Sequence, residues 1–134
     1  MRFFIVCLGG AIGTGGRYLL STWVAATFGS DFPRGTILIN VTGSFLIAVV
    51  MELSAITGAI SQELRIFLTT GILGGYTTYS SFNYESLRLA QEGTFGLAGL
   101  NLAITVLGCL VSGTLGIIAA RALAHVGAFL AGGG

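Results

Sequence analysis

The chain has no lysine at all; 6 arginines face 5 acidic residues in 134 positions. Charged residues make up 8% of the composition, against roughly 25% in a typical soluble domain. Such a chain cannot clothe a water-facing surface. With 54% hydrophobic residues and a mean hydropathy of +0.92, it reads as a membrane protein. Its length leaves room for about four spans of ~20 residues with short loops, and no soluble domain fits beside them. A formal net charge of +1 with no basic patch excludes nucleic acid as a partner.

Other scarcities narrow the chemistry. Cys7 and Cys109 both fall in apolar segments and are expected to be buried free thiols. No second Cys or His stands at ligand spacing, so a disulfide framework or a His/Cys metal site is excluded. His125, the single histidine, lies near the C-terminus and is expected at a solvated end. Without lysine there is no Gly-x-x-x-x-Gly-Lys phosphate loop. The glycines between Gly9 and Gly16 follow no strand and miss the dinucleotide spacing. No Ser/His/Asp set is available, so the chain is not read as an enzyme.

What is there is four apolar stretches. The first, from about Arg2 to Phe28, begins like a signal peptide, yet its apolar pattern outruns a short signal core and predicts an uncleaved span. The only proline, Pro33, sits in the turn Gly29 to Arg34. Spans 35–56, 63–90 and 94–124 follow as one integral membrane domain covering 1–134, with 127–134 expected as a frayed tail. An even span count places both termini on one side, with Arg2, Arg65 and Arg121; Arg34 and Arg88 fall on the other. Orientation follows the Lys/Arg difference between loops, and here it is close to nil. Insertion in both orientations is therefore plausible, and an antiparallel dimer with it; the alternative is that one extra arginine fixes a single orientation. Gly9-Gly10-x-x-Gly13 and Gly108-x-x-x-Ser112-x-x-x-Gly116 place small residues along helix faces, which permits close packing in lipid.

Polar residues inside these stretches carry the functional signal, because polar groups at membrane depth usually face a bundle interior or a water path. Thr36, Asn40, Gly43 and Ser44 share one face of the second span. Asn101, Thr105, Cys109 and Ser112 form a stripe on the fourth. Each stripe reads as interhelical glue or as the lining of a path. In the third span, Gly74-Gly75-Tyr76-Thr77-Thr78-Tyr79-Ser80-Ser81-Phe82 sets helix-poor glycine beside β-branched and aromatic residues. A break there would free carbonyls that must be bonded, hydrated or ion-bound; a plain packing kink is the other reading. Tyr79 and Phe82 lie on one face beyond it, and their ring edges are positive enough to face a small anion. Arg17, deep in the first span, is an interfacial anchor or an attractant in an aqueous vestibule. Glu52, Glu85 and Arg88 are expected to snorkel or pair near an interface.

Three motifs taken together resemble the Fluc fluoride-channel family, also called CrcB, over nearly the whole chain. They are Gly-Thr-x-x-x-Asn-x-x-Gly-Ser-Phe at 35–45, Gly-Gly-x-Thr-Thr-x-Ser-Ser-Phe at 74–82, and the run from Gly13 through Gly16-Arg17-Tyr18-Leu19. The resemblance implies an all-α membrane protein of four transmembrane helices, the third broken mid-membrane, in an antiparallel dual-topology homodimer with two pores. It implies passive fluoride export across the bacterial inner membrane. The fluoride path would be lined by Asn40, Tyr79, Phe82, Ser80 and Ser81, with Arg17 in the vestibule; from the polar stripe of the fourth span, Thr105 and Ser112 are expected to join that lining. The resemblance also implies a structural sodium ion on the Gly74 and Thr77 carbonyls. Partners are then fluoride, a second copy and the lipid bilayer. The chain departs from the family in having Tyr79 for the usual phenylalanine and Asn101 where a tyrosine is expected. A small multidrug-type proton-coupled exporter is the rival, and a structural membrane subunit a third reading. The exporter class needs a carboxylate in its first span, and this first span has none.

Overall fold

The computed structural model describes residues 1–132, and among these the fold is entirely helical. Helix α1 spans Arg2–Phe28 and α2 spans Arg34–Thr57. A third segment opens with the short α3 (Gln62–Ile66) and runs into a π-helical stretch, Phe67–Leu73. It closes with α4 (Gly74–Tyr76) and, after two residues, α5 (Tyr79–Gln91). Helix α6 covers Phe95–Gly132. The turns fall where the proline and glycines predict them; Gly58 caps α2 in the left-handed conformation that glycine adopts without strain (φ 63°).

Among the described residues, three helices are long and apolar enough to cross a membrane: Arg2–Phe28, Arg34–Thr57 and Phe95–Phe129. The third segment is divided among pieces each too short to do so alone. The surface agrees with a lipid setting: Phe3, Leu19, Leu107 and Val111 are each more than half exposed, at 74%, 69%, 61% and 59%. Cys7 is exposed as well, so its expected burial within the chain does not hold. Its apolar neighbours point outward, toward lipid, which shelters a thiol as well as a protein core does. The expected frayed tail is also corrected: α6 continues through Gly127 to Gly132. Ala, Leu and Phe outnumber its glycines, and no proline stops the helix. Gly133 and Gly134 lie outside the described residues.

Packing is close where side chains vanish. Helix α1 lies on the π-helical stretch and α2 on α6. A Cβ at Gly9 would stand 2.8 Å from the Phe67 carbonyl oxygen, and one at Gly13 would collide with the Ile72 carbonyl. A Cβ at Gly116 would stand 2.5 Å from the Phe45 oxygen. Ion pairs bind the ends: Arg2 Nη2 reaches Glu63 Oε1 at 3.4 Å while also donating to Gln62 Oε1 at 2.9 Å, and Arg121 Nε donates to Glu52 Oε1 at 2.8 Å. Glu52, expected to snorkel or pair, therefore pairs.

Candidate functional site

Between α4 and α5 the backbone leaves helical geometry. Thr77 takes φ −77°, ψ 158° and Thr78 takes φ −153°, ψ 106°. Thr77 still closes the preceding turn, its N–H reaching Leu73 O at 3.0 Å. Thr78 has no such turn behind it. Its N–H donates to Asn40 Oδ1 at 2.9 Å, and its carbonyl accepts from Asn40 Nδ2 at 3.0 Å. One side-chain amide thus satisfies both backbone groups of one extended residue, as a neighbouring strand would. Asn40 is 8% exposed and Thr78 7%, so neither backbone group could turn to bulk water instead.

Thr78 also starts the next helix. Its Oγ1 accepts from Ser81 N–H at 3.2 Å and donates to Ser81 Oγ at 3.0 Å, a side-chain N-cap. Gly43, one turn beyond Asn40 on α2, gives room for Thr77: any Cβ there would strike the Thr77 methyl. On the polar face of α2, Ser44 Oγ donates back to Asn40 O at 2.7 Å. This face meets the interruption through Asn40 and Gly43, and Thr36 Oγ1 donates to Glu85 Oε1 at 2.8 Å.

Two cavities border the Asn40–Thr78 pair, one at Asn40 and one at Thr78. The first, of about 440 Å³, is lined by Asn40, Thr77, Tyr79, Phe82 and Thr105, with Cys109 beside them. Phe82 is 5% exposed, Tyr79 78%, and their rings meet edge-on with centroids 5.6 Å apart. The second, of about 330 Å³, collects Arg17, Thr36, Thr78, Ser81 and Glu85. The structure therefore brings Asn40, Tyr79, Phe82 and Thr105 together, and Arg17 with Ser81. Ser80 is exposed and lies near Thr78 Oγ1, 3.3 Å away. Ser112 lines neither cavity; its hydroxyl donates to Val41 O at 2.8 Å and ties α6 to α2. Glu85, expected to snorkel or pair near an interface, pairs with Thr36 through Oε1, while its Oε2 is buried with no hydrogen-bond partner among the described residues.

Sequence reasoning overlooked Thr78, the residue on which the whole arrangement turns. A Thr three residues ahead of Ser81 at a helix start is a recognisable cap signal. It also overlooked Ser86, buried under α6, where Asn101 Nδ2 donates to its Oγ at 2.9 Å. A lone serine in a helix carries no signal of that kind.

Buried polar residues around an interrupted helix, wrapped in apolar helices, define a multi-pass membrane protein with a polar interior. Comparison places it further. The sequence profile described as "CrcB-like protein, Camphor Resistance (CrcB)" matches residues 4–117. A protein of Anaeromyxobacter sp. named "Fluoride-specific ion channel FluC" is 51% identical over 123 residues, 92% of this chain and 98% of its own. Proteins of the same name from Sorangium cellulosum and Geobacter metallireducens are 48% identical over 122 residues and 51% over 118. These two alignments cover 91% and 88% of this chain and 96% and 95% of the relatives. The chain belongs to the CrcB family of membrane proteins.

Proposed function

We propose that the protein is a fluoride channel of the cell membrane, not an enzyme, and that fluoride passes through the cavity beside Asn40 and Phe82. The observation that carries this reading is the cavity's chemistry: a buried amide, a buried hydroxyl and two aromatic rings in a chain whose exterior is apolar. Fluoride is small and tightly hydrated, so a path for it must offer donors that replace water yet let the ion leave. Asn40 spends one Nδ2 hydrogen on Thr78 and keeps a second. Ring edges add weak positive charge without a fixed cation that would hold the anion. The fluoride channels at about 50% identity support the same cargo. The exporter alternative finds no carboxylate in α1.

The finer parts of the reading belong to the same proposal. The interrupted segment completes the fourth crossing, with its two extended residues near the membrane middle. A second copy in the opposite orientation covers Tyr79, which is 78% exposed in the single chain. Arg17 draws the anion into the cavity that it shares with Thr78. A structural sodium ion suits the Gly74 and Thr77 carbonyls. The last carbonyls of a helical piece lack intrahelical partners, Gly74 is exposed in the single chain, and a hard cation takes oxygen ligands. Bound there, it would neutralise converging carbonyl dipoles.

The test is fluoride efflux from liposomes holding the purified protein, read with a fluoride electrode. Efflux above protein-free liposomes without a proton gradient is expected. Efflux that requires a proton gradient, or none at all, would overturn the reading.

A further inference from the structure

Asn101 is fully buried, at 0% exposure, and stands in a chain of hydrogen bonds that ends at the cavity. The chain starts at the Phe82 carbonyl, which can only accept. Ser86 Oγ therefore donates to it, at 2.8 Å. Having spent its one proton, Ser86 can only accept in turn, so the amide nitrogen of Asn101 must face it, at 2.9 Å. This leaves Asn101 Oδ1 facing Thr105, which must donate, at 3.3 Å. The direction of every link follows from the first carbonyl.

The consequence falls on Thr105. Its hydroxyl has one proton, and Asn101 holds it, so the group presents lone pairs to the cavity shared with Phe82. Lone pairs repel an anion. The hold is also the loosest in the chain: 3.3 Å lies well beyond the usual ~2.7–2.8 Å of an O–H···O bond, whereas the Ser86 link sits at it.

We infer that Asn101 is a positioning residue that parks the Thr105 hydroxyl proton and releases it, by rotation of the hydroxyl, to an anion arriving beside Phe82. No covalent bond is made or broken; one hydrogen bond is exchanged for another. The inference rests on the reading of that cavity as the fluoride path. Between passages the acceptor on Asn101 keeps the buried hydroxyl satisfied. Without it, Thr105 turns to the carbonyl one turn back on its own helix and is lost to the cavity.

Fluoride efflux from liposomes tests this with Asn101→Leu, Thr105→Val, the double variant and Asn101→Asp. Each of the first two is expected to lower efflux about tenfold, the effect of one hydrogen bond to an ion. The double variant should also lose about tenfold, because both changes remove the same donor; independent effects would multiply to about a hundredfold. Asn101→Asp, neutral in this buried place, keeps one donor and one acceptor and should restore efflux to within about threefold. Multiplying losses, normal efflux in Asn101→Leu, or equal loss in Asn101→Asp and Thr105→Val would overturn the inference. If Asn101→Leu fails to assemble, the comparison of Asn101→Asp with Thr105→Val decides. No efflux from the unaltered protein would sink the channel reading itself, whereas multiplying losses on a conducting background sink only the role of Asn101.

Discussion

At the scale of single residues, Asn40 does two things that sequence reading had set against each other. Its amide pairs with both backbone groups of Thr78, and it lines the cavity beside Phe82. Asn40→Asp keeps the size; unlike the fully enclosed Asn101, position 40 borders the cavity, so its carboxyl ionises there and the Nδ2 donor becomes an acceptor. Thr78 O then loses its partner, and an ionised carboxylate would repel fluoride. Efflux should collapse at least tenfold; each buried backbone group left unpaired costs about 1–3 kcal/mol, so the thermal unfolding midpoint in detergent should fall as well. Normal efflux in Asn40→Asp would remove it from the path. The two rings separate in the same assay. Phe82 is buried against the cavity, and Phe82→Ile, which has no positive edge to offer, should cut efflux severely. Tyr79→Phe keeps the edge and loses only a hydroxyl, so efflux should stay close to normal. Equal loss in both would favour a site built on hydroxyls.

At the scale of elements, the third segment is shaped by its neighbours. The π-helical stretch from Phe67 to Leu73 lies against α1 only because Gly9 and Gly13 present bare backbone to it. Gly13→Val would drive a branched side chain into the Ile72 carbonyl. Overpacking of this kind costs about 1–3 kcal/mol or more, and the variant should purify with a lowered unfolding midpoint or aggregate on gel filtration. A midpoint equal to the unaltered protein's would mean α1 can move away freely. The two extended residues allow a second test, of the sodium proposal. Its ligands are carbonyls, so Thr77→Val should retain efflux, since its methyl contact with Gly43 survives and only the Thr77 Oγ1 bond to Leu73 O is lost. Inserting one alanine after Thr77 should abolish efflux, because it turns every later carbonyl and shifts Thr78 away from Asn40. Loss in Thr77→Val as complete as in the insertion would argue for a side-chain site.

At the scale of the whole molecule, polarity is turned inside out. Thr36, Asn40, Thr78, Ser86, Asn101 and Thr105 are all buried, while Phe, Leu and Val side chains cover the outside. In water this arrangement would be unstable; in lipid it is the favourable one, because the polar groups bond to one another and the apolar groups meet acyl chains. The same exterior leaves orientation to very few charges. Arg2 and Arg121 sit with Glu63 and Glu52 at the end that carries both described termini, and Arg34 and Arg88 belong to the other. Ala59→Lys with Ile60→Lys adds two positive charges to the loop between α2 and α3 and should commit most copies to one orientation. Efflux from cells expressing only this variant should then fall, and co-expression with a variant biased the other way should restore it. Cysteine accessibility showing all C-termini of the unaltered protein on one side would end the antiparallel proposal.

Much was legible before any coordinates. Length, hydropathy and the placement of Pro33, Gly58 and Gly93 determined an all-helical membrane chain and its turns, because a stretch of ~20 apolar residues has few other ways to satisfy its backbone in lipid. The motif at 74–82 located the irregular backbone, since paired glycines and β-branched residues weaken a helix wherever they fall. Sequence spacing could also say that Asn40 shares a face with Thr36 and Gly43, and that Asn101 shares one with Thr105. It could not say what those faces meet. That Asn40 closes on Thr78, that Ser112 ties helices together rather than lining the cavity, and that Asn101 orients Thr105 through Ser86 all depend on partners 38, 71 and 15 residues apart along the chain. A hydrogen-bonding side chain is chemically the same whether it serves a helix, a neighbour or an ion. Only the tertiary structure decides which partner stands within reach, and with it which protons are already spent.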